Sequence, residues 1–216
     1  SLVTLENTHN RAGGRIFPSE QVMAVARRAR ELGLRLHLDG ARLWNVAAAT
    51  GAPLAQLAAP FDSVSVCFSK GLGAPVGSAL AAGKAQIDEA HRLRKMLGGG
   101  MRQVGVLAAA ALYAIGNHRS RLVDDHQNAK RLAHDLREAT DPTKVAVSEP
   151  ETNIVNVDVP GSLAEGVVRA AREQGVLINA IQEGRLRAVL HLDVTSEAAT
   201  QAAGLLARVI RTACGG

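Results

Sequence analysis

Short apolar runs alternate with amphipathic stretches of helical length along this chain, and that alternation restricts the fold to sheets covered by helices. Residues 2–6 read as a strand. Pro18-Ser19 opens an amphipathic helix to about Leu32, with Gly33 in the usual C-terminal position. Residues 34–39 form a second expected strand, ended by Gly40, and residues 42–50 a short helix stopped by Gly51 and Pro53. Residues 63–68 read as a third strand running into Ser69-Lys70-Gly71-Leu72-Gly73, and residues 77–82 as a fourth. A long helix over 84–96 is interrupted by Gly98-Gly99-Gly100; another starts near Met101 and continues, with a break near Gly116, to Arg137. The expected architecture is α/β, a mostly parallel sheet flanked by helices.

Composition shifts at Asp141-Pro142. Beyond it the pattern gives strands at 153–159, 176–178 and 186–191 and helices at 163–174 and 196–212. The expectation is therefore a large domain over 1–140 and a small C-terminal α/β domain over 141–216, without internal repeats. Aromatic residues make up only 2% of the 216 residues against 47% hydrophobic, so the core must be aliphatic. That shortage argues against nucleic-acid binding by base stacking, and no helix-turn-helix, RNP or zinc-finger pattern is present. The net charge of +5 comes from arginine, 20 residues against 5 lysines. Such an excess suits an anionic partner, a phosphate or carboxylate, or simply a basic solvated surface.

Cys67 and Cys214 lack metal-ligand spacing, and Cys67 reads as a small buried hydrophobe in its apolar run; a reducing, cytoplasmic setting fits. The longest apolar stretch, 104–115, falls short of the ~20 residues a membrane span needs. No signal-peptide pattern opens the chain. Ser1 leads directly into a strand, as expected of a chain that starts within a domain.

In an open parallel sheet, ligands gather beyond the carboxyl ends of the strands. Asp39 and Lys70 each end a strand. A lysine after an apolar strand and before two glycines would be partly desolvated, which favours an amine able to form a Schiff base; the alternative is a surface lysine in a turn. A carboxylate at Asp39 can hold the proton on a pyridine nitrogen, or serve as an ordinary turn residue before Gly40. Arg42 could point into the same crevice, and Arg187, on a strand of the small domain, could grip a carboxylate in two-pronged fashion; surface ion pairs are the alternative for both. Gly98-Gly99-Gly100, flanked by Lys95 and Arg102, could bind an anion at a helix N-terminus or serve as a hinge. Gly71 and Gly73 read as room for the turn to pass close to a flat cofactor. His37 and His191 read as structural; His9, in the polar run after the first strand, is the one histidine near the expected crevice. No histidine pair has metal spacing, and no nucleophile-elbow motif is present.

Five segments, in order, carry a resemblance: Leu5-Glu6-Asn7-Thr8-His9-Asn10; His37-Leu38-Asp39-Gly40-Ala41-Arg42; residues 69–77 around Lys70; residues 94–103 around the triple glycine; and residues 187–194 beginning with Arg187. Together they resemble the low-specificity L-threonine aldolases. The resemblance implies a fold-type-I enzyme dependent on pyridoxal 5'-phosphate, assembled as a homodimer or homotetramer, cleaving β-hydroxy-α-amino acids such as threonine to glycine and an aldehyde. Lys70 matches the lysine that binds the cofactor covalently, Asp39 the carboxylate facing the pyridine nitrogen, and Arg42 an arginine beside the cofactor. Arg187 matches the arginine that holds the substrate carboxylate; His9, Lys95 and Arg102 are expected near the site. Leu190 departs from the family's usual threonine. The family also carries a segment ahead of the position of Ser1, with a phosphate-binding glycine loop and a histidine stacked on the cofactor. Two alternatives stand beside the aldolase: another activity on the same scaffold (a β-eliminating lyase or aminotransferase), or a catalytically incomplete fragment.

Overall fold

The computed structural model describes residues 1–215. They divide into two compact units, residues 1–9 with 16–122, and residues 10–15 with Val123 onward.

The first unit contains β1 (Leu2–Glu6), α1 (Ser19–Glu31), β2 (Arg35–Gly40), α2 (Leu43–Thr50), α3 (Leu54–Ala58), β3 (Ser63–Cys67), β4 (Ser78–Ala82), α4 (Lys84–Met96) and α5 (Gly105–His118). Its sheet has the order β1-β2-β3-β4. The first two pairings are parallel, each bridged by a helical crossover, and β3–β4 is antiparallel because the loop between them is too short for a crossover. Alternation along β2 sends Leu36, Leu38 and Gly40 to one face. There Leu36 meets Ala26 and Ala29 of α1, while Leu38 and Val64 meet Leu43 and Val46 of α2. Val22, Ala26 and Ala29 recur at helical spacing, and the small alanines let α1 lie close to the strands. By contrast α4 buries none of its side chains, and α5 buries only Ala111 and Ala114.

The second unit contains α6 (Leu122–Ala139) apart from its first residue, β5 (Ala146–Val147), β6 (Ile154–Asp158), a 3₁₀ turn Gly161–Leu163, α7 (Ala164–Glu173), β7 (Asn179–Gln182), β8 (Arg185–Val189) and α8 (Ser196–Ala213). Its sheet, β5-β6-β8-β7, is antiparallel throughout. Leu132 and Leu136 of α6 share one core with Val155, Val167, Leu206 and Ile210. That burial places α6 in the second unit, so the junction falls at Leu122/Val123 rather than near residue 140, where composition shifts.

Three local expectations are revised. Residues 176–178 are not a strand: Val176 N–H caps α7 by donating to Ala171 O at 2.9 Å, next to Gly175 at φ +83°. The strand is β7, further along. The helix expected from Met101 begins at Gly105, and its break falls after His118 rather than at Gly116. Cys67 is half-buried instead of fully buried. Among the described residues no helix is long and apolar enough to cross a membrane.

Candidate active site

The carboxyl ends of β1, β2 and β3 bring Glu6, Asp39 and Ser65 into one register row. They occupy the face opposite Leu38, together with His37, whose Nδ1 lies 2.8 Å from Ser63 Oγ. Asp39 is half-buried. Its Oδ1 accepts from Ala41 N–H at 3.1 Å, and its carbonyl accepts from Asn7 N–H at 3.0 Å, which ties the turn after β1 to the end of β2.

Lys70 lies in the loop between β3 and β4. Phe68 N–H donates to Gly77 O at 3.0 Å, Gly73 N–H to Lys70 O at 2.8 Å and Ala74 N–H to Phe68 O at 3.0 Å, so the loop closes on itself. Leu72 anchors it from below in a cluster with Ala74, Ala114 and Leu122, and His118 Nδ1 lies 2.7 Å from Leu72 O. Trp44 of α2 donates its indole N–H to Cys67 O at 3.0 Å, fixing the point where β3 gives way to the loop. The backbone of Lys70 is thus held while its side chain is exposed. The expected partial desolvation is absent because the strand ends at Cys67 and Lys70 stands beyond the sheet. Gly71 has a different reason from the expected one: a Cβ there would meet Leu122 Cδ2 at 2.9 Å and Asn45 Oδ1 at 3.2 Å. The turn passes close to protein atoms.

Arg42 is half-buried just ahead of α2. His9 is largely exposed, with Nε2 at 3.6 Å from Glu6 Oε2. Asp39 thus lies at the carboxyl end of β2, while His9, Arg42 and Lys70 follow the ends of β1, β2 and β3 respectively. Lys95 and Arg102 are exposed, on α4 and in the α4–α5 connection. The triple glycine does not open a helix. Gly98 N–H donates to Lys95 O at 3.2 Å and Gly99 N–H to Arg94 O at 2.8 Å, finishing α4, so these donors are already used. Arg187 belongs to β8 of the second unit, half-buried, with Nη1 donating to Asn10 Oδ1 at 3.0 Å.

The profile of the beta-eliminating lyases matches residues 1–160. The chain belongs to the beta-eliminating lyase family. It is 44% identical over 197 residues to a probable low-specificity L-threonine aldolase 2 of Arabidopsis thaliana, covering 90% of this chain and 55% of that protein. It is likewise 44% identical over 196 residues to the low specificity L-threonine aldolase of Escherichia coli K12, covering 91% and 56% respectively. The chain thus spans about half the length of the curated relatives it matches. Among solved structures, a putative L-allo-threonine aldolase of Listeria monocytogenes superposes with TM-score 0.81 at 22% identity, over 97% of this chain and 60% of that one.

Four residues of this beta-eliminating lyase chain escaped the sequence reading. Glu6 and Ser65 flank Asp39 only through strand register, which no local pattern reports. From α2, Trp44 bonds Cys67 O at the start of the Lys70 loop, and Asn45 lies close against Gly71 within it. The lone tryptophan was the available signal for the first; buried Asn45 sits in a run that otherwise reads as helix core.

Proposed function

We propose that this chain carries the lysine and acid of a pyridoxal-phosphate-dependent lyase that cleaves threonine and related β-hydroxy-α-amino acids to glycine and an aldehyde. The observation that supports it is a carboxylate at the carboxyl end of β2 and a primary amine in the loop that follows the neighbouring parallel strand β3. The residues fit the cofactor's chemistry: Lys70 offers an exposed amine on a fixed backbone, and Asp39 a half-buried carboxylate with one oxygen tied to Ala41 N–H. When bound, the cofactor supplies an electron sink for the pair left on Cα as the Cα–Cβ bond of the substrate breaks.

Lys70 would hold the cofactor through its amine. Asp39 holds a proton at the pyridine nitrogen. Arg42 would stand beside the cofactor, and Arg187 would orient the substrate carboxylate. His9, Lys95 and Arg102 contribute polar groups around the site. The names of the Arabidopsis and Escherichia coli relatives support the aldolase reading. The reading extends to a cytoplasmic setting, supported by two cysteines that form no disulfide, and to a homodimer or homotetramer, supported by the family resemblance.

Reduction with borohydride after incubation with pyridoxal phosphate should attach a phosphopyridoxyl group to the peptide containing Lys70, and Lys70→Ala should lose it. Labelling of another lysine at wild-type yield in that variant overturns the assignment; no label on the wild-type chain favours a binding-incompetent fragment. A second reading, β-elimination, is favoured by the name of the matched family. Acetaldehyde and glycine from threonine support the aldolase, whereas a 2-oxo acid supports elimination.

A further inference from the structure

Two arginines stand two positions apart on β8, and the sheet treats them oppositely. Arg185 lies in register with Asp158 of β6 and grips its carboxylate twice, Nε to Oδ1 at 2.5 Å and Nη2 to Oδ2 at 2.8 Å. Its charge is cancelled where it stands. Arg187, on the same face, lies in register with Asn156 of β6 and Asn179 of β7. Its hydrogen bond runs from Nη1 to Asn10 Oδ1 at 3.0 Å, and no carboxylate among the described residues pairs with it. Every polar neighbour that the strands and this bond supply to Arg187 is an amide. An amide oxygen fixes the direction of a guanidinium and leaves its full charge for a ligand; a carboxylate would fill the same fork and neutralise it.

The segment that delivers Asn10 is fitted closely to the same sheet. Gly13 N–H donates to Asn10 O at 3.1 Å, closing a turn. Gly13 and Gly14 have φ of +84° and +73°, and a Cβ on either would fall 2.7 Å from Asn156 Nδ2 or 2.6 Å from Thr152 Oγ1. Thr152 Oγ1 in turn donates to Gly14 O at 2.7 Å, within the buried interior. Against this fixed turn, the Nε–H of Arg187 and the Oδ1 of Asn156 are buried without hydrogen-bond partners. The guanidinium is therefore held at one end with donor capacity unspent.

From this contrast we propose that Asn10 is a positioning residue: it aims Arg187 as an uncancelled cation at a carboxylate ligand, and an amide rather than an acid at position 10 keeps the site open to anions. The proposal rests on the carboxylate-binding role given to Arg187 above and adds the residue that makes that role available.

The test follows the Arg187 Nε–Hε resonance in the full chain labelled with ¹⁵N-arginine, assigned by its loss in Arg187→Lys, during titration with acetate. In the wild type the resonance should shift saturably. Asn10→Ala should raise the apparent dissociation constant about three- to tenfold, the worth of one hydrogen bond. Asn10→Asp should weaken acetate binding more than tenfold while the urea midpoint stays at or above the wild-type value, because the acid keeps the acceptor but occupies the cation. A purely structural role predicts wild-type acetate binding in Asn10→Asp, and that result overturns the proposal even if Asn10→Ala fails to fold. A wild-type resonance indifferent to acetate overturns the role of Arg187 itself, and the proposal with it; a responsive wild type with an equally responsive Asn10→Asp overturns the positioning role alone.

Discussion

Trp44 spans α2 and the end of β3 through one hydrogen bond, and Gly71 sits where Leu122 of α6 and Asn45 of α2 crowd the space a side chain would need. These two positions determine how firmly Lys70 is presented, more than the exposed lysine does. Gly71→Ala should shift Leu122 or Asn45 by tenths of an ångström and destabilise the chain by about 1–3 kcal/mol. Urea unfolding followed by Trp44 fluorescence checks this, and an unmoved midpoint would show that the loop gives way freely. His126, buried in the second unit, provides a pH effect. Burial, and secondarily the charge of Lys130, lowers its pKa from 6.5 to about 4. The unfolded chain then binds this proton more tightly than the folded one, so the contribution is complete above 6.5 and is lost as pH falls toward about 4. His126→Gln should remove that portion of the acid sensitivity; parallel decline of variant and wild type in urea midpoints across this range would refute it. The strand that carries Asp39 and the strand that precedes Lys70 were legible in the sequence, because each is a short apolar run stopped by polar residues and glycine. Glu6 and Ser65 were not, because strand register joins residues distant along the chain.

At the scale of elements, legibility followed the strength of local periodicity and punctuation. β1 and α4 appear within the bounds read from sequence, even though α4 buries nothing, because Gly83 and Gly98 mark both its ends. α3 and β5 were missed; five and two residues respectively carry too little pattern. The apolar run Val176-Leu177-Ile178 misled for a physical reason: it caps a helix, and Leu177 is 76% exposed. Caps also support a prediction on α8. Thr195 Oγ1 accepts from Ala198 N–H at 3.1 Å at its N-terminus. Thr195→Ala should cost about 1 kcal/mol, read as a lower urea midpoint by circular dichroism; Thr195→Ser should restore most of it. Recovery no better in the serine variant than in the alanine one would mean the hydroxyl is not the cap.

At the scale of the molecule, the first unit is the sheet-and-helix architecture read from sequence, with one antiparallel strand imposed by a short loop. The second unit packs helices on an antiparallel sheet and takes in α6 from Val123 onward. Composition pointed to Asp141-Pro142 because the sequence turns polar there; the burial of Leu132 and Leu136 depends on partners from α7 and α8, which no local window contains. Differences in burial predict unequal protection. Amides of α4, which buries no side chain, should exchange with deuterium well before those of α8, which buries six. Mass-spectrometric exchange checks the order, and protection of α4 equal to that of α8 would mean that another surface covers it in solution.

Residues 10–15 fold with the second unit, while the residues on both sides of them fold with the first. The backbone is thus sewn through both bodies, crossing at His9/Asn10, Arg15/Ile16 and Leu122/Val123. One recombination breakpoint cannot exchange either body intact: a gene divided at the last crossing would encode a second half stripped of Asn10, Gly13 and Gly14.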